Sequence, residues 1–306
     1  MHPGRHPGWS SWGRLRVATL ATRRFRPVAE ETPQTGETAG RTVSASVRLL
    51  RPSVAGRVVR TAATRMAVVV FCLVAWEVVA RSGIISKALF PTPLETWQAA
   101  RSLWRTGVVG SDLRASLGRV AVGFAIGATV GIAIGFATGY SKACSAVLGP
   151  IITFLRPIPA IAVVPLSTAW FGIGQKGKYF IVAYAVILAV WLYVHDGVAR
   201  IPPVYVRVAR GYGLRPIKIL GKIVLPATGP SIVSALRYGS SVAFLALVAA
   251  ELGGAQNGIA YRLQVDSQFL QTGRIFVGLI ELGILGVAAD FLIATVGNRL
   301  VHWSST

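Results

Sequence analysis

Six apolar runs, each about as long as a bilayer crossing, decide what this chain can fold into. They lie at about 58–80, 117–138, 146–171, 179–194, 230–250 and 275–296. A helix rises about 1.5 Å per residue, so about 20 apolar residues cross a hydrocarbon core. Only 14% of the 306 residues are charged, against about 25% in average soluble domains. That is too little to cover a soluble surface. The excess of 32 Lys+Arg over 11 Asp+Glu therefore does not read as a nucleic-acid footprint, which belongs to a water-soluble basic surface. It reads as charge held in the loops of a membrane protein. The expected fold is an all-α integral membrane protein with about six spans, a lipid bilayer for surroundings and no nucleic-acid partner.

The runs divide the chain. Residues 1–57 are rich in Arg, Pro, Gly, Ser and Thr, and are expected to form a basic, disordered tail. No apolar run of signal-peptide length precedes Met66. The first span is expected over 58–81, an outer amphipathic elbow over 82–116, and a five-helix core over 117–300 with a basic loop at 195–228. In the elbow, Leu94, Trp97, Ala100, Arg101 and Trp104 fall at helical spacing. Cys72 and Cys144 both sit in or beside apolar runs and offer no metal-ligand spacing, so no metal is expected.

Charge bias gives a topology. With the N-terminus inside, the inner side holds 20 basic residues and the outer side nine. This favours both termini on the cytoplasmic side. The most basic interior loop is 195–225, with Arg200, Arg207, Arg210, Arg215, Lys218 and Lys222.

Four features carry mechanism. Gly123, Gly127, Gly131, Gly135 and Gly139 repeat every four residues in the second span, a ridge that lets another backbone approach closely. In the third run, Arg156, Pro157 and Pro159, with Pro165 beyond, imply an interrupted helix carrying a cation. An arginine within a span needs a partner or a wet path, so Arg156 either neutralises an anionic solute or pairs with an acid or freed carbonyls. The acids Glu77, Glu251, Glu281 and Asp290 fall in or at the ends of spans. The 195–228 loop reads as a short helix, a break at Gly213, a second basic helix, then a proline opening a span.

The loop resembles that of inner-membrane permease subunits of ABC importers, whose pattern is Glu-Ala-Ala, three residues, Gly, nine residues, Ile-x-Leu-Pro. Gly213 is followed by nine residues and then Ile223-Val224-Leu225-Pro226. Arg207 stands at the Glu position, and Ala209 keeps the second Ala. The run Leu155 to Pro159, with Pro165, Trp170-Phe171-Gly172, Gly174 and Lys178, resembles permeases of the nitrate, sulfonate, taurine and bicarbonate group. So do Ser116 to Val120, Ala250-Glu251 before Gly258, and Asp290 before Arg299.

The resemblance implies a type I ABC importer permease in the bacterial inner membrane, carrying a small organic or inorganic anion. It implies two cytoplasmic ATPase subunits that bind ATP and Mg, an extracytoplasmic solute-binding protein, and a second, identical permease chain. This subunit is expected to hold no cofactor and to catalyse nothing itself, since no phosphate-binding glycine loop is present. Arg207, Ala209, Arg210, Gly213, Ile223, Leu225 and Pro226 are the expected coupling residues. Small residues Ala209, Gly211 and Gly213 are expected to lie in the ATPase groove, with arginines at its rim. Arg156, Trp170, Phe171 and Glu251 are the candidates for lining the solute path or its gate. Two other classes remain open on the residues alone: an ion-coupled secondary transporter, and a membrane-embedded enzyme using His195-Asp196.

Overall fold

The computed structural model describes residues 54–86 and 88–301; the expected tail up to residue 53 lies outside them. Among the described residues there are helices and turns and no strands. The long helices are α1 (Val54–Arg81), α3 (Val108–Tyr140), α6 (Gln175–Ala199), α9 (Leu225–Leu252) and α11 (Thr272–Leu300). Shorter ones connect them: α2 (Pro93–Arg105), α4 (Lys142–Leu155), a 3₁₀ turn (Ala160–Val163), α5 (Val164–Phe171), α7 (Pro203–Gly211), α8 (Pro216–Ile219), a π turn (Leu220–Val224) and α10 (Ile259–Gln268).

Four stretches are long and apolar enough to cross a membrane: α3, α6, the continuous run Pro216–Leu252, and α11. The segment from α4 to α5 adds a fifth when counted as one span, bent by 94°. The run expected at 58–80 lies on α1. That helix is anchored near its C-terminal end, where Trp76 Nε1 donates to Pro91 O at 2.9 Å and the Trp76 ring stacks on Phe276. From Met66 to Val79 its apolar side chains are mostly exposed.

The core is built on α3 against α6. A Cβ on Gly123, Gly127, Gly131, Gly135 or Gly139 would lie 2.6–3.0 Å from Cβ of Val182, Val186, Val190, Val194 or Val198 in turn. Partners share a constant offset of 59 residues, so the two helices run parallel. Glycine at each site lets the α6 valines seat against the α3 backbone. Val182, Val186, Val190 and Val194 are fully buried there. Helix α6 also packs antiparallel to α9, with Gly197 against Ser231 and Gly239 against Val190. Helix α9 then packs antiparallel to α11, with Gly297 against Val233 and a bidentate Arg237–Asp290 pair at 2.8 Å.

Helix α3 begins nine residues before the expected span. Gly107 turns the chain with a left-handed φ of 75°, and the polar residues Asp112, Ser116 and Arg119 then continue the helix on its buried face. The elbow is α2, started by a capping box in which Thr92 accepts from Glu95 N and Glu95 accepts from Thr92 N. It rests on α11, with Gly273 beside Ala99, and leaves Trp97 and Trp104 exposed.

The glycine packing has a direct test. Gly127→Ala must push Val186 aside, whereas an added Cβ at Gly118 on the same helix meets nothing within 4 Å. Thermal unfolding in detergent should show Gly127→Ala destabilised by about 1–3 kcal/mol and Gly118→Ala unchanged or slightly more stable. Equal behaviour of the two variants would contradict the packing.

Candidate functional site

The break in the third run comes from its prolines. Pro157 and Pro159 have no N–H to give, so carbonyls around them lose helical partners. The Tyr184 hydroxyl, reaching from α6, donates towards Leu155 O at 3.0 Å and Ile158 O at 3.3 Å. This braces the turn that carries Arg156. The Arg156 side chain is exposed and, among the described residues, its guanidinium has no hydrogen-bond or ion-pair partner. It opens on a cleft of about 480 Å³ between the break, α6 and α9. The walls are Ile158, Ile161, Leu188, Leu192, Val242 and Leu245, with Tyr184 and Tyr238 as further polar groups. One cation on apolar walls suits a small anion with an aliphatic or aromatic tail.

The other path candidates lie elsewhere. Trp170 and Phe171 form an aromatic cluster with Phe180, with centroids 5.3–6.4 Å apart, and do not line the cleft. Glu251 does not line it either. It is wholly buried (0% exposed) and committed to other groups. Its Oε1 accepts from Arg119 Nη1 and from Ser116 Oγ, each at 2.7 Å, and its Oε2 from Ala260 N at 2.8 Å. Its charge is paired with Arg119, itself 2% exposed.

That pair belongs to a larger buried lattice, at the end of the bundle away from α7. Arg119 also donates to Gln175 Oε1, Asn257 O and Asn257 Oδ1. One helical turn or two earlier on the same α3 face, Ser116 Oγ accepts from Ile259 N at 3.0 Å and Asp112 Oδ1 from Gly258 N at 2.9 Å. Gly258 has φ of 120°, and a Cβ there would lie 2.4 Å from the Glu251 carboxylate, so glycine alone fits. Arg262 bridges Asp112 and Glu281. Lys178 Nζ donates to Ile173 O at 2.7 Å and Gly174 O at 3.3 Å. Asp266 lies 3.9 Å from Arg274, and its Oδ2 is buried without a hydrogen bond. Burial pushes the Asp266 carboxyl above the usual range, against the pull of Arg274 and Arg262. Four cations (Arg119, Lys178, Arg262, Arg274) thus face four carboxylates (Asp112, Glu251, Asp266, Glu281). The spacing of Asp112, Ser116 and Arg119 at i, i+4 and i+7 was the available sequence signal for this face.

At the opposite end, α7, α8 and the π turn form an arm. Gly213 takes φ of +73°, and Leu214 N then donates back to Ala209 O at 3.1 Å, closing α7. The arm is held by Ala209 (3% exposed), Ile219 and Val224, all packed into the core. Ala209 therefore faces this chain's own interior. The expected seating of Ala209 in a partner's groove does not hold, because the bundle already occupies that face. What the arm turns outward is Val204, Tyr205, Val208, Tyr212 (83% exposed) and Ile217, beside exposed Arg207, Arg210 and Arg215. Gly211 and Gly213 are exposed too, and a Cβ added at either would meet nothing within 4 Å among the described residues. The π turn is closed by Leu225 N donating to Leu220 O, just before Pro226, which has no N–H to continue an α pattern. Ile223 is half-buried against the core, and Leu225 is exposed.

The buried pair has a measurable coupling. Glu251→Gln strands the Arg119 guanidinium and should cost about 3–5 kcal/mol. Arg119→Gln should cost a similar amount, and the double variant clearly less than their sum. Unfolding of the four proteins in detergent gives the coupling; simple additivity would show that the two charges do not depend on one another.

The chain is similar to known proteins. Residues 127–304 match the family profile of the binding-protein-dependent transport system inner membrane component. A Bacillus subtilis protein named for aliphatic sulfonates transport, permease SsuC, is 30% identical over 76% of this chain and 84% of its own. The Escherichia coli protein of the same name is 33% identical over 75% and 87%. The taurine transport system permease protein TauC of Escherichia coli is 28% identical over 76% and 86%. A solved chain of the inward-facing MetNI methionine ABC transporter overlays with a TM-score of 0.49 at 19% identity, over 70% of this chain and all of that one. With more than half its length inside the profile and its relatives matched over most of theirs, the chain belongs to the family of binding-protein-dependent inner-membrane transport components, a multi-pass ABC importer permease rather than an enzyme.

Proposed function

We propose that this permease carries a small organic or inorganic anion, of the sulfonate, taurine, nitrate, bicarbonate or aromatic-acid kind, and is driven by two cytoplasmic ATPase subunits docked on its arm. The arm carries the reading. Its core side is fixed by Ala209, Ile219 and Val224, while its outward side pairs aromatic and apolar groups with arginines. Exposed tyrosines and arginines are the residue types that anchor protein interfaces, and the basic rim can meet acidic groups on a partner. ATP and Mg belong to that partner. Both termini lie on its side of the membrane, a solute-binding protein docks at the other, and a second identical chain completes the path.

The geometry supplies a coupling route. The stretch Pro216–Leu252 is continuous, so a push on α8 moves α9. Tyr238, Val242 and Leu245 on α9 form one wall of the Arg156 cleft. Closure of the ATPase dimer would thereby change the width of the cleft beside Arg156. The sulfonate and taurine names of the relatives support an anion, and a guanidinium on apolar walls is strengthened as a ligand by the low local dielectric.

Reconstitution with the partner ATPase and binding protein tests both halves. Tyr205→Ala with Tyr212→Ala should lower solute-stimulated ATP hydrolysis and uptake by about tenfold or more, with membrane insertion intact. Undiminished stimulation would sink the docking proposal. Arg156→Gln should weaken uptake of the anion by about tenfold while leaving assembly with the ATPase unchanged. Full uptake in that variant would remove Arg156 from the path.

A further inference from the structure

A smaller, more polar cavity lies beyond the Arg156 cleft. It has a volume of about 330 Å³ and sits between the turn that opens α6 and the turn that follows α9. Leu252 lines the cleft and Gly254 lines this cavity, so the two sit two residues apart along the chain at that end of the bundle. Its volume is at the lower end of the range for small-molecule sites, about 300–1,000 Å³. The charged lining groups are Arg119 and Lys178, 2% and 6% exposed. Among the described residues no carboxylate lines it. Glu251 stands behind Arg119 and balances that cation, while Lys178 is held by the two backbone carbonyls of Ile173 and Gly174.

Two further lining groups add donors. A guanidinium only donates, so Gln175 and Asn257 turn their carboxamide oxygens to Arg119. Their NH₂ groups are left without partners among the described residues, and both residues line the cavity. The α6 N-terminus, which opens here at Gly174 and Gln175, has no side-chain cap and adds a weak positive potential. The exposed Gln256 carboxamide also lines the cavity and can turn either its NH₂ or its oxygen inward, so the cavity offers donors and positive charge with no fixed negative group among the described residues. That is the chemistry of an anion site.

We propose that this cavity is an anion subsite at the outer mouth of the solute path. It takes a sulfonate or carboxylate headgroup between the Lys178 ammonium and the amides of Gln175 and Asn257, before the solute reaches Arg156. The assignment rests on the anion-permease reading and places an entry station on it. Arg119 is a positioning residue: it orients both amides from behind.

The test uses the assembled importer in nanodiscs without nucleotide, titrated calorimetrically with methanesulfonate at constant ionic strength. Dimethyl sulfone serves as a neutral isostere. Methanesulfonate should bind and dimethyl sulfone should not. Lys178→Gln should weaken binding by about tenfold or more, and Lys178→Arg should retain most of it. Gln175→Glu and Asn257→Asp keep the acceptor for Arg119, so they should fold, yet each replaces a donor by negative charge and should abolish the binding that remains when Arg156 is replaced by Gln. Unchanged affinity in folded Gln175→Glu and Asn257→Asp on that background would overturn the subsite. ATP-driven uptake is measured in parallel on the same importer. Uptake that persists without binding at this cavity refutes the subsite alone, whereas no uptake of any anion refutes the anion-substrate reading beneath it.

Discussion

The close seating of α3 on α6 is the contact on which the remaining architecture depends. Hydrocarbon gives helices little reason to associate through apolar area alone, so association rests on fit. Five glycines facing five valines bring the two backbones as near as side-chain-bearing helices allow. Helix α6 is thereby fixed as the centre of the bundle, with α3 on one side and α9 on another. Both proposed anion sites are built partly on it: Tyr184 and Leu188 of α6 face the cleft, and Gln175 and Lys178 at its start face the outer cavity.

The two ends of the bundle are held by different physics. At the arm end the ties are apolar, through Ala209, Ile219 and Val224. At the other end they are ionic, through Arg119–Glu251 and Asp112–Arg262–Glu281. A buried ionic lattice is stable only when each member keeps its partners, so that end behaves as one unit across α3, α9, α10 and α11. An apolar joint tolerates small sliding more readily, which suits the end proposed to receive motion from a partner.

Much of this was legible in the sequence, and for identifiable reasons. The glycine ridge, the proline-broken third run, the helix–Gly213–helix arm and its family each leave a short-range mark in the residues. What could not be read was where long-range partners lie. The acids looked alike on paper; only the fold shows that Glu251 is paired with Arg119 across 132 positions, whereas Arg156 is left open to the cleft. Likewise Ala209 matches the motif position of a contact residue, yet its direction depends on how α7 leans on the core. The valine stripe of α6 was visible at the same four-residue period as the glycines. Nothing local, however, tied one stripe to the other.

The parallel course of α3 and α6 has a consequence for how the chain is made. Each glycine and its valine are separated by 59 residues, because the broken segment must carry the chain back before α6 can descend beside α3. At about 5–20 residues per second of synthesis, each glycine waits roughly 3–12 s for its partner to be translated. During that interval the most tightly packed seam of the finished protein is an open furrow in lipid. The order of biosynthesis, and not only the final packing, therefore favours glycine there: a larger residue would gain lipid contacts early that it must later surrender to α6.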